Sequence, residues 1–213
     1  MISIVDYGMG NLRSVQKAIH RLGYRAPIVN EPSAISDSRI LVLPGVGAFD
    51  RAVKNLKNRG LWSAVMGHLA DEKPYLGICL GLQLLFESSE EGSESGFSVC
   101  RGRVVRFKNA RIIPHMGWND VSWNNETEKL LRSPVSEPCY YFVHSYFPCP
   151  EDKSIVAGVS DYGGRFCCAI KDGNRYGVQF HPEKSQFAGL TLLKKILGKL
   201  SKSSAKSSRS PGG

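Results

Sequence analysis

The stretch YLGICLGLQLLF, from Tyr75 to Phe86, sets one cysteine between two glycines, after a short apolar run and before a longer one. With cysteine in place of serine, the spacing Gly-x-Cys-x-Gly matches a nucleophile elbow, the strained turn by which a strand enters a helix. Glycine two residues to either side lets neighbouring backbone approach the turn closely. The pattern predicts a strand over PYLGIC, a helix over LGLQLLFE, and a nucleophile at Cys79.

A helix that begins after Cys79 would also direct backbone N–H groups and the positive end of its dipole at the sulfur, which favours a thiolate and an oxyanion. On composition alone, however, a buried structural cysteine in an apolar segment is the better account, because short motifs often match by chance. The catalytic interpretation therefore depends on finding a base for the thiol elsewhere in the chain.

Upstream of this stretch, short apolar runs alternate with segments of helical spacing. The runs ISIV, APIV and RILVLPG indicate strands, and AFDRAVKNLKNRG and LWSAVMGHLA indicate helices. A further helix is predicted between Asn11, a typical N-cap residue, and Gly23, a typical helix end. Continuous apolar strands that alternate with helices indicate a parallel sheet covered on both faces.

Downstream, the pattern becomes rich in strands. Those predicted are GRVVRF, NDVSW, YYFVHSYF, SIVAGVS and FCCAIKDGNRYGVQFHPE, with a tight hairpin at KDGN. A last helix is expected from about Phe187 to Leu200. The predicted fold class is α/β with three layers, a mostly parallel central sheet flanked by helices, and an additional antiparallel hairpin region. One domain is expected over residues 1–200, followed by a basic, serine-rich, disordered tail over 201–213.

Bulk composition narrows the classes of function. The net charge is +9, but the residues from Lys194 onward carry six of these charges, which leaves +3 for the remainder. A solvated tail is therefore favoured over a nucleic-acid-binding arm. No apolar run is long enough for a membrane span and no secretory signal is seen, so a cytoplasmic protein is expected. Six cysteines without a CxxC pair or zinc-ligand spacing predict reduced thiols, with no metal and no cofactor.

The best candidate base is His181, which follows an apolar strand in YGVQFHPEKS. Pro182 biases His181 to an extended conformation, in which Glu183 projects to the same side. A carboxylate beside an imidazole holds its tautomer, so Cys79, His181 and Glu183 fit the roles of nucleophile, base and orienting group. Taken alone, HPE fits a strand end at the surface equally well. Two other histidines in predicted helices are expected at the surface, His20 and His68.

The segment LPGVGAFD supplies a third element of a catalytic site. Gly45 and Gly47 follow Pro44 at the carboxyl end of a predicted strand, where parallel sheets bind their ligands. A backbone N–H of this turn could stabilise an oxyanion together with the N–H of Leu80. An ordinary strand-to-helix turn is the alternative. The acidic segment SSEEGSESG is expected to be a surface loop without function.

These motifs occur together in one known family. GICLGLQLLF with HPEKS resembles the class I, triad-type glutamine amidotransferases, which have a flavodoxin-like fold. DYGMGNLRSV, LPGVGAF, PHMGWN and YFVHSYF narrow the resemblance to the glutaminase subunits of imidazole glycerol phosphate synthases. The resemblance spans from Ile2 to about Leu200 and excludes only the tail.

The resemblance implies hydrolysis of L-glutamine through a thioester on Cys79, with His181 as base and Glu183 as its orienting group. The backbone groups expected to stabilise the oxyanion are those of Leu80, Val46 and Gly47. The residues expected to bind the substrate are Gly45, Gln83, His144, Ser145 and Tyr146. For His144, a hydrogen-bonded core histidine is the alternative.

The resemblance also implies a heterodimer with a cyclase subunit of (β/α)8 barrel fold. That subunit would receive the ammonia and make imidazole glycerol phosphate and aminoimidazole carboxamide ribonucleotide in histidine biosynthesis. The residues that match interface positions are Asn11, Pro114, Met116, Trp118 and Lys184. Composition alone would assign PHMGWN to a loop with an exposed tryptophan, and exposed aromatic residues often mark partner surfaces.

Three other functions compete with this interpretation. A sibling amidotransferase would share the triad but not PHMGWN. A non-catalytic binding subunit with the same fold would commonly have lost one triad residue. A cysteine peptidase or thiol oxidoreductase on a similar fold is the third, and the missing CxxC pair weighs against the redox version.

Overall fold

A computed structural model describes residues 1–131 and 138–207. In the first half of these residues the elements are β1 (Ile2–Val5), α1 (Leu12–Arg21), β2 (Ile28–Val29), α2 (Pro32–Ser36), β3 (Ile40–Gly45), α3 (Phe49–Asn58), α4 (Trp62–Ala70), β4 (Tyr75–Cys79) and α5 (Leu80–Gln83). The elements that follow are β5 (Phe86–Ser89), β6 (Cys100–Arg106), β7 (His115–Asp120), β8 (Ser122–Trp123), α6 (Asn125–Leu131), β9 (Cys139–His144), β10 (Tyr146–Pro150), β11 (Val156–Asp161), β12 (Arg165–Asp172), β13 (Arg175–Val178) and α7 (Gln186–Ser207). Single 3-10 turns cover Lys153–Ile155 and Pro182–Lys184.

The central sheet has the strand order β2-β1-β3-β4-β13-β12-β11-β8. The strands from β2 to β13 are parallel to their neighbours, and β12, β11 and β8 continue the sheet in antiparallel pairing. Two smaller sheets, β10-β6-β5 and β7-β9, complete the architecture of the described residues. The predicted α/β class with an antiparallel addition is confirmed.

Helices cover both faces of the central sheet because its strands are apolar on both sides. On β3, Val42 belongs to the core beneath α1 and α7, whereas Leu41 and Leu43 belong to the core beneath α3 and α4. Both cores include residues with no exposed surface, such as Ile19 on α1 and Leu56 on α3. The predicted cap is also confirmed, since Asn11 Oδ1 accepts a hydrogen bond of 3.3 Å from the backbone N–H of Ser14.

Several predicted boundaries are wrong, and long-range pairing explains them. The helix predicted over LGLQLLFE ends at Gln83, because Phe86 starts a strand that pairs with Cys100. YYFVHSYF is two strands that separate at Ser145, since β9 pairs with β7 and β10 pairs with β6. PHMGWN contributes to strand β7 rather than to a loop.

The last helix extends past its predicted end at Leu200 into the first residues of the predicted tail and ends at Ser207. Elongating an existing helix costs far less than nucleating one, so α7 can continue after its apolar stripe has ended. The rest of the predicted tail, residues 208–213, lies outside the described residues. In the part of the chain that is described, no helix is both long and apolar enough to cross a membrane.

Candidate active site

Cys79 ends β4 in a backbone conformation that side chains rarely adopt, with φ 54° and ψ −106°. The two glycines explain how the chain tolerates this turn. A Cβ atom on Gly77 would lie 2.5 Å from the carbonyl oxygen of Gly81, and one on Gly81 would lie 1.8 Å from that of Leu43. The predicted elbow is therefore present, and close backbone packing requires glycine on both sides of the cysteine.

The helix after the elbow is shorter than the sequence indicated. It has four residues, from Leu80 to Gln83, and β5 begins soon afterwards. A helix dipole is the sum of aligned peptide dipoles, so a single turn contributes much less than a long helix. The electrostatic contribution predicted from this helix to the sulfur of Cys79 is correspondingly small.

His181 and Glu183 form a buried pair beside the elbow. Nδ1 of His181 donates to Oε1 of Glu183 over 2.9 Å, and the two side chains are 3% and 2% exposed. His181 is extended as predicted, whereas Glu183 lies in a 3-10 turn rather than on extended chain. The turn brings the carboxylate back to the ring, so the predicted contact forms by a different backbone route.

The charges around His181 favour its protonated form. Burial by itself lowers the pKa of His181, but the nearby sulfur of Cys79, the hydrogen bond to Glu183 and the negative charges of both groups outweigh burial and raise this pKa. Nε2 of His181 is buried and has no aligned hydrogen-bond partner. A base that lies close to its thiol without an aligned bond is the geometry expected before substrate enters.

A cavity of about 340 Å³ opens in front of Cys79. Of the predicted oxyanion and substrate residues, those that line it are Val46, Gly47, Leu80, Gln83, His144, Ser145 and Tyr146. Gly45 does not line this cavity. It ends β3 behind the turn, where a Cβ atom would lie 2.0 Å from the hydroxyl oxygen of Tyr7. The structure thus brings the elbow, the LPGVGAFD turn and the YFVHSYF segment around one space, whereas His181 and Glu183 are not among the lining residues.

His144 lies in the wall of the cavity, but both of its ring nitrogens already have partners. Nδ1 donates to the carbonyl oxygen of Tyr146 over 2.8 Å, and Nε2 accepts from Nδ1 of His115 over 3.3 Å. Burial lowers the pKa of His144 to about 3 and that of His115 to about 4, so both rings are neutral near pH 7. His144 is therefore a pocket residue and a hydrogen-bonded core histidine at once.

Gln83 is oriented by the same carbonyl. Its Nε2 donates to the oxygen of Tyr146 over 2.9 Å and to Oε1 of Gln179 over 3.1 Å. Both N–H groups of the amide are used in this way, and its Oε1 remains to accept a hydrogen bond. Gln83 therefore offers an acceptor to a ligand in the cavity.

Sequence reasoning missed Glu91, which lines the cavity from within the acidic segment expected to have no function. Its Oε2 accepts the backbone N–H of Phe49 over 2.8 Å at the start of α3. No local pattern indicated this position, because contacts with α3 place it. Gln179 was also missed, although a glutamine inside the apolar run YGVQF was a usable signal.

The predicted surface position of His68 is wrong, whereas His20 is exposed as predicted. His68 is 2% exposed and its Nε2 bonds the carbonyl oxygen of Pro74 over 2.9 Å, which joins α4 to the start of β4.

In the described ranges, no three histidine, cysteine or acidic side chains are grouped as metal ligands would be.

The five predicted interface residues are all exposed, and three of them share one surface. The side chains of Met116 and Trp118, two residues apart, project from the same face of β7 and are 62% and 49% exposed. Nζ of Lys184 lies 5.8 Å from the ring of Tyr141, which packs at 6.0 Å from the ring of Trp118. Pro114 borders the catalytic cavity, and α1, which Asn11 caps, packs against the Pro182–Lys184 turn.

Comparison with known proteins identifies the family of this chain. The family model for class-I glutamine amidotransferases matches residues 3–197. The imidazole glycerol phosphate synthase subunit HisH of Syntrophotalea carbinolica is 46% identical over 202 residues, which cover 91% of this chain and 98% of that protein. The HisH subunit of Aquifex aeolicus is also 46% identical, covering 93% of this chain and 97% of its own length.

Solved structures share the fold at lower identity. One glutamine amidotransferase superposes with a TM-score of 0.74 at 19% identity, covering 94% of this chain and 100% of that one. PurLQS from Thermotoga maritima superposes with a TM-score of 0.69 at 17% identity, covering 93% and 98%. By its family model and its relatives, the chain belongs to the class-I glutamine amidotransferases and, among them, to the HisH subunits of imidazole glycerol phosphate synthase.

Proposed function

We propose that this chain hydrolyses L-glutamine to glutamate and ammonia as the glutaminase subunit of an imidazole glycerol phosphate synthase. The observation that carries the proposal is the buried His181–Glu183 pair beside Cys79. The elbow directs the side chain of Cys79 into the cavity. A nucleophile, a base and an orienting carboxylate in this arrangement are suited to acyl transfer. The reaction needs no metal and no cofactor.

The first half of the reaction forms a thioester. The thiol proton of Cys79 passes to Nε2 of His181, and the sulfur attacks the side-chain amide carbon of glutamine. Backbone N–H groups of Leu80, and of Val46 and Gly47 in the opposite turn, stabilise the oxyanion. The C–N bond then breaks, and the proton on His181 leaves with ammonia.

The second half restores the thiol. A water molecule gives a proton to His181 and attacks the thioester carbon, again through an oxyanion. Breaking of the C–S bond releases glutamate, and His181 returns its proton to the sulfur of Cys79. Throughout both halves, Glu183 holds the tautomer of His181 that keeps Nε2 available and stabilises the imidazolium.

Recognition of glutamine depends on its α-amino group. The carboxylate of Glu91 and the free Oε1 of Gln83 both belong to the cavity, and each accepts hydrogen bonds. An ammonium ion between a carboxylate and an amide oxygen gains charge-assisted bonds. Ser145 and Tyr146 close the cavity from the side of β10.

The ammonia passes to a cyclase subunit of (β/α)8 barrel fold in a heterodimer. The partner covers the exposed surface of Asn11, Pro114, Met116, Trp118 and Lys184, which borders the cavity at Pro114. Direct transfer is favoured because free ammonia near neutral pH is mostly ammonium, which is not a nucleophile. The cyclase then makes imidazole glycerol phosphate and aminoimidazole carboxamide ribonucleotide. A cytoplasmic location remains a prediction.

The test is glutamate release from L-glutamine by the purified chain, alone and with the cyclase subunit of the same organism and its nucleotide substrate. Activity that rises with the partner and disappears in Cys79→Ala is the expected result. Cys79→Ala should fold normally, because truncating the side chain leaves the backbone of the elbow unchanged. His181→Asn should bind the partner but lack turnover.

Two results would contradict the proposal. Activity with the partner of a sibling synthase, but not with the cyclase, would assign the chain to another ammonia-transferring enzyme. No activity under any of these conditions, with partner binding intact, would leave a binding subunit of the same fold.

A further inference from the structure

Gln179 is a polar side chain without exposed surface that directly follows β13. Its backbone N–H donates to the carbonyl oxygen of Cys168 over 2.8 Å, which fixes the residue beside the sheet. Its side-chain Nε2 lies 3.5 Å from Sγ of Cys79 and donates to it. The amide of Gln179 thus touches the reacting atom from beneath the elbow, inside the protein.

The orientation of this amide follows from its neighbours. The carbonyl oxygen of Tyr146 can only accept, so Gln83 must face it with its nitrogen, at 2.9 Å. The second N–H of that nitrogen points at Gln179 over 3.1 Å, so Gln179 must face Gln83 with its oxygen. The nitrogen of Gln179 is therefore the atom directed at the sulfur. If the amide of Gln179 were turned over, its nitrogen would face the nitrogen of Gln83. Two donors would then oppose each other, and buried groups would be left without partners.

The carbonyl oxygen of Tyr146 is itself held by a second donor. Nδ1 of His144 donates to it over 2.8 Å, and His144 in turn accepts from His115. The amide nitrogen of Asn119 lies 3.4 Å from Nε2 of His115 and donates to it, so both nitrogens of the His115 ring have hydrogen-bond partners. Two series of hydrogen bonds therefore meet at the carbonyl oxygen of Tyr146. The series from Asn119 through His115 and His144 ends there. Gln83 also donates to this oxygen, and its second N–H donates to Gln179, which donates to the sulfur of Cys79.

We propose that Gln179 is a catalytic residue whose amide N–H stabilises the thiolate of Cys79. The inference rests on the proposed glutaminase function and adds a group to it. The thiol proton still passes to His181, and Gln179 neither gives nor takes a proton. Its hydrogen bond to sulfur becomes charge-assisted when the thiolate forms, and again when the C–S bond breaks. This donor performs the task for which the single-turn helix α5 is too short.

The test measures alkylation of Cys79 by iodoacetamide in the full chain, without glutamine and without a partner. Mass spectrometry of the peptide that contains Cys79 separates this reaction from alkylation of the exposed Cys139 and Cys149. The variant Gln179→Glu keeps an oxygen for Gln83, loses the amide donor at the sulfur and adds a carboxylate beside it. The control Gln16→Glu replaces a second amide donor, which is partly buried, lies away from Cys79 and bonds the carbonyl oxygen of Ala26 over 3.0 Å.

In Gln179→Glu we expect the alkylation rate of Cys79 at pH 7.5 to fall at least tenfold and its pH profile to move to higher pH. Gln16→Glu should alkylate like the wild type. With the partner present, kcat of Gln179→Glu for glutamine should fall by a similar factor while KM changes less than threefold. Gln179→Met, which is neutral and of similar size, should show the same direction of change, and it separates loss of the donor from the charge that Gln179→Glu adds beside the sulfur.

An unchanged alkylation rate and pH profile in either folded variant would overturn the proposal and leave Gln179 as a packing residue. Failure of the proposed function would look different. A wild-type chain that does not hydrolyse glutamine, but whose alkylation depends on Gln179, would contradict the glutaminase assignment and still support the Gln179–Cys79 contact.

Discussion

His115 donates a hydrogen bond from Nδ1 to Nε2 of His144 over 3.3 Å, and both rings are buried and neutral. The ring of His115 stacks between Phe142, at a centroid distance of 4.7 Å, and Tyr162, at 3.9 Å. A charge on either ring would have to be accommodated among these aromatic side chains. The pair should therefore make the stability of the fold sensitive to acid.

Burial lowers the pKa of His115 to about 4 and that of His144 to about 3, from an ordinary value of 6.5. Below pH 6.5 the unfolded chain binds protons that the folded chain does not, so the free energy of unfolding falls as the pH falls through this window. Each histidine should cost about 2 kcal/mol of stability between pH 7.5 and pH 5. His115→Phe preserves the stacking. Its free energy of unfolding should fall by about 2 kcal/mol less than that of the wild type over this interval. Urea unfolding at the two pH values measures the difference, and equal losses in both proteins would contradict it.

The backbone of the elbow should be intolerant of a single methyl group. Gly81→Ala sets a Cβ atom 1.8 Å from the carbonyl oxygen of Leu43, so β3 or the elbow must move. We expect a loss of about 3 kcal/mol or more in the free energy of unfolding, and a lower kcat because Cys79 shifts with the turn. Chemical denaturation and the glutaminase assay measure the two effects.

Gly67 provides a matched control for Gly81, because it also lies in a helix but has no atom within 4 Å of a built Cβ. Gly67→Ala should stabilise the chain by about 0.5–1 kcal/mol through higher helix propensity and a less flexible unfolded state. Equal stabilities of the two variants would show that the elbow does not require glycine at position 81.

The carboxylate of Glu91 should determine the affinity for glutamine. Glu91→Gln keeps an oxygen that can accept the N–H of Phe49 but removes the charge that faces the cavity. A charge-assisted hydrogen bond contributes about 1.5–3 kcal/mol, so kcat/KM should fall roughly 10- to 100-fold, mainly through KM. The control Glu94→Gln, in the same segment, breaks only a salt bridge to Lys57 and should leave both constants unchanged.

The substrate analogue 4-carbamoylbutanoate lacks the α-amino group and makes this test specific. The wild type should use it poorly, and Glu91→Gln should use it as well as the wild type does. A variant that loses glutamine and the analogue by the same factor would assign Glu91 to the structure of the loop rather than to the substrate.

The parts of the site that follow from local sequence were predictable. Cys79 with its two glycines, and His181 with Glu183, each occupy a few consecutive positions in which steric limits and short contacts decide the geometry. The predicted N-cap at Asn11 is of the same kind. Patterns of this length could be interpreted because no distant part of the chain has to be placed first.

The unpredicted parts depend on contacts between distant segments. Glu91 reaches the cavity because the carboxylate of Asp50 accepts the backbone N–H groups of Ser93 and Glu94, more than forty residues along the chain. The helix after Cys79 is cut short because Phe86 enters a separate sheet. Neither the pairing of β5 with β6 nor the contact of the acidic segment with α3 has a local signature. No local pattern could therefore predict that the helix after Cys79 is short or that Glu91 lines the cavity.

The surface formed by Trp118, Tyr141 and Lys184 should bind the cyclase partner. Trp118 is 49% exposed on β7, and aromatic residues of this kind commonly contribute most to an interface. Trp118→Ala should weaken the complex by about 2 kcal/mol or more, roughly a 30-fold rise in Kd, with little effect on the stability of the isolated chain. Isothermal titration with the cyclase subunit measures the change.

Lys184 tests the charge of this surface, and Lys57 is its control because each Nζ lies over an aromatic ring, at 5.8 Å from Tyr141 and at 5.4 Å from Trp62. Both substitutions to alanine remove one exposed positive charge, so they change the net charge equally. Only Lys184→Ala should slow association with the partner, by roughly 2- to 10-fold at low salt, because steering depends on charge near the contact. Surface plasmon resonance at two salt concentrations measures the association rates. If Lys57→Ala slows association as much, the effect is one of net charge, and the partner does not bind over Lys184.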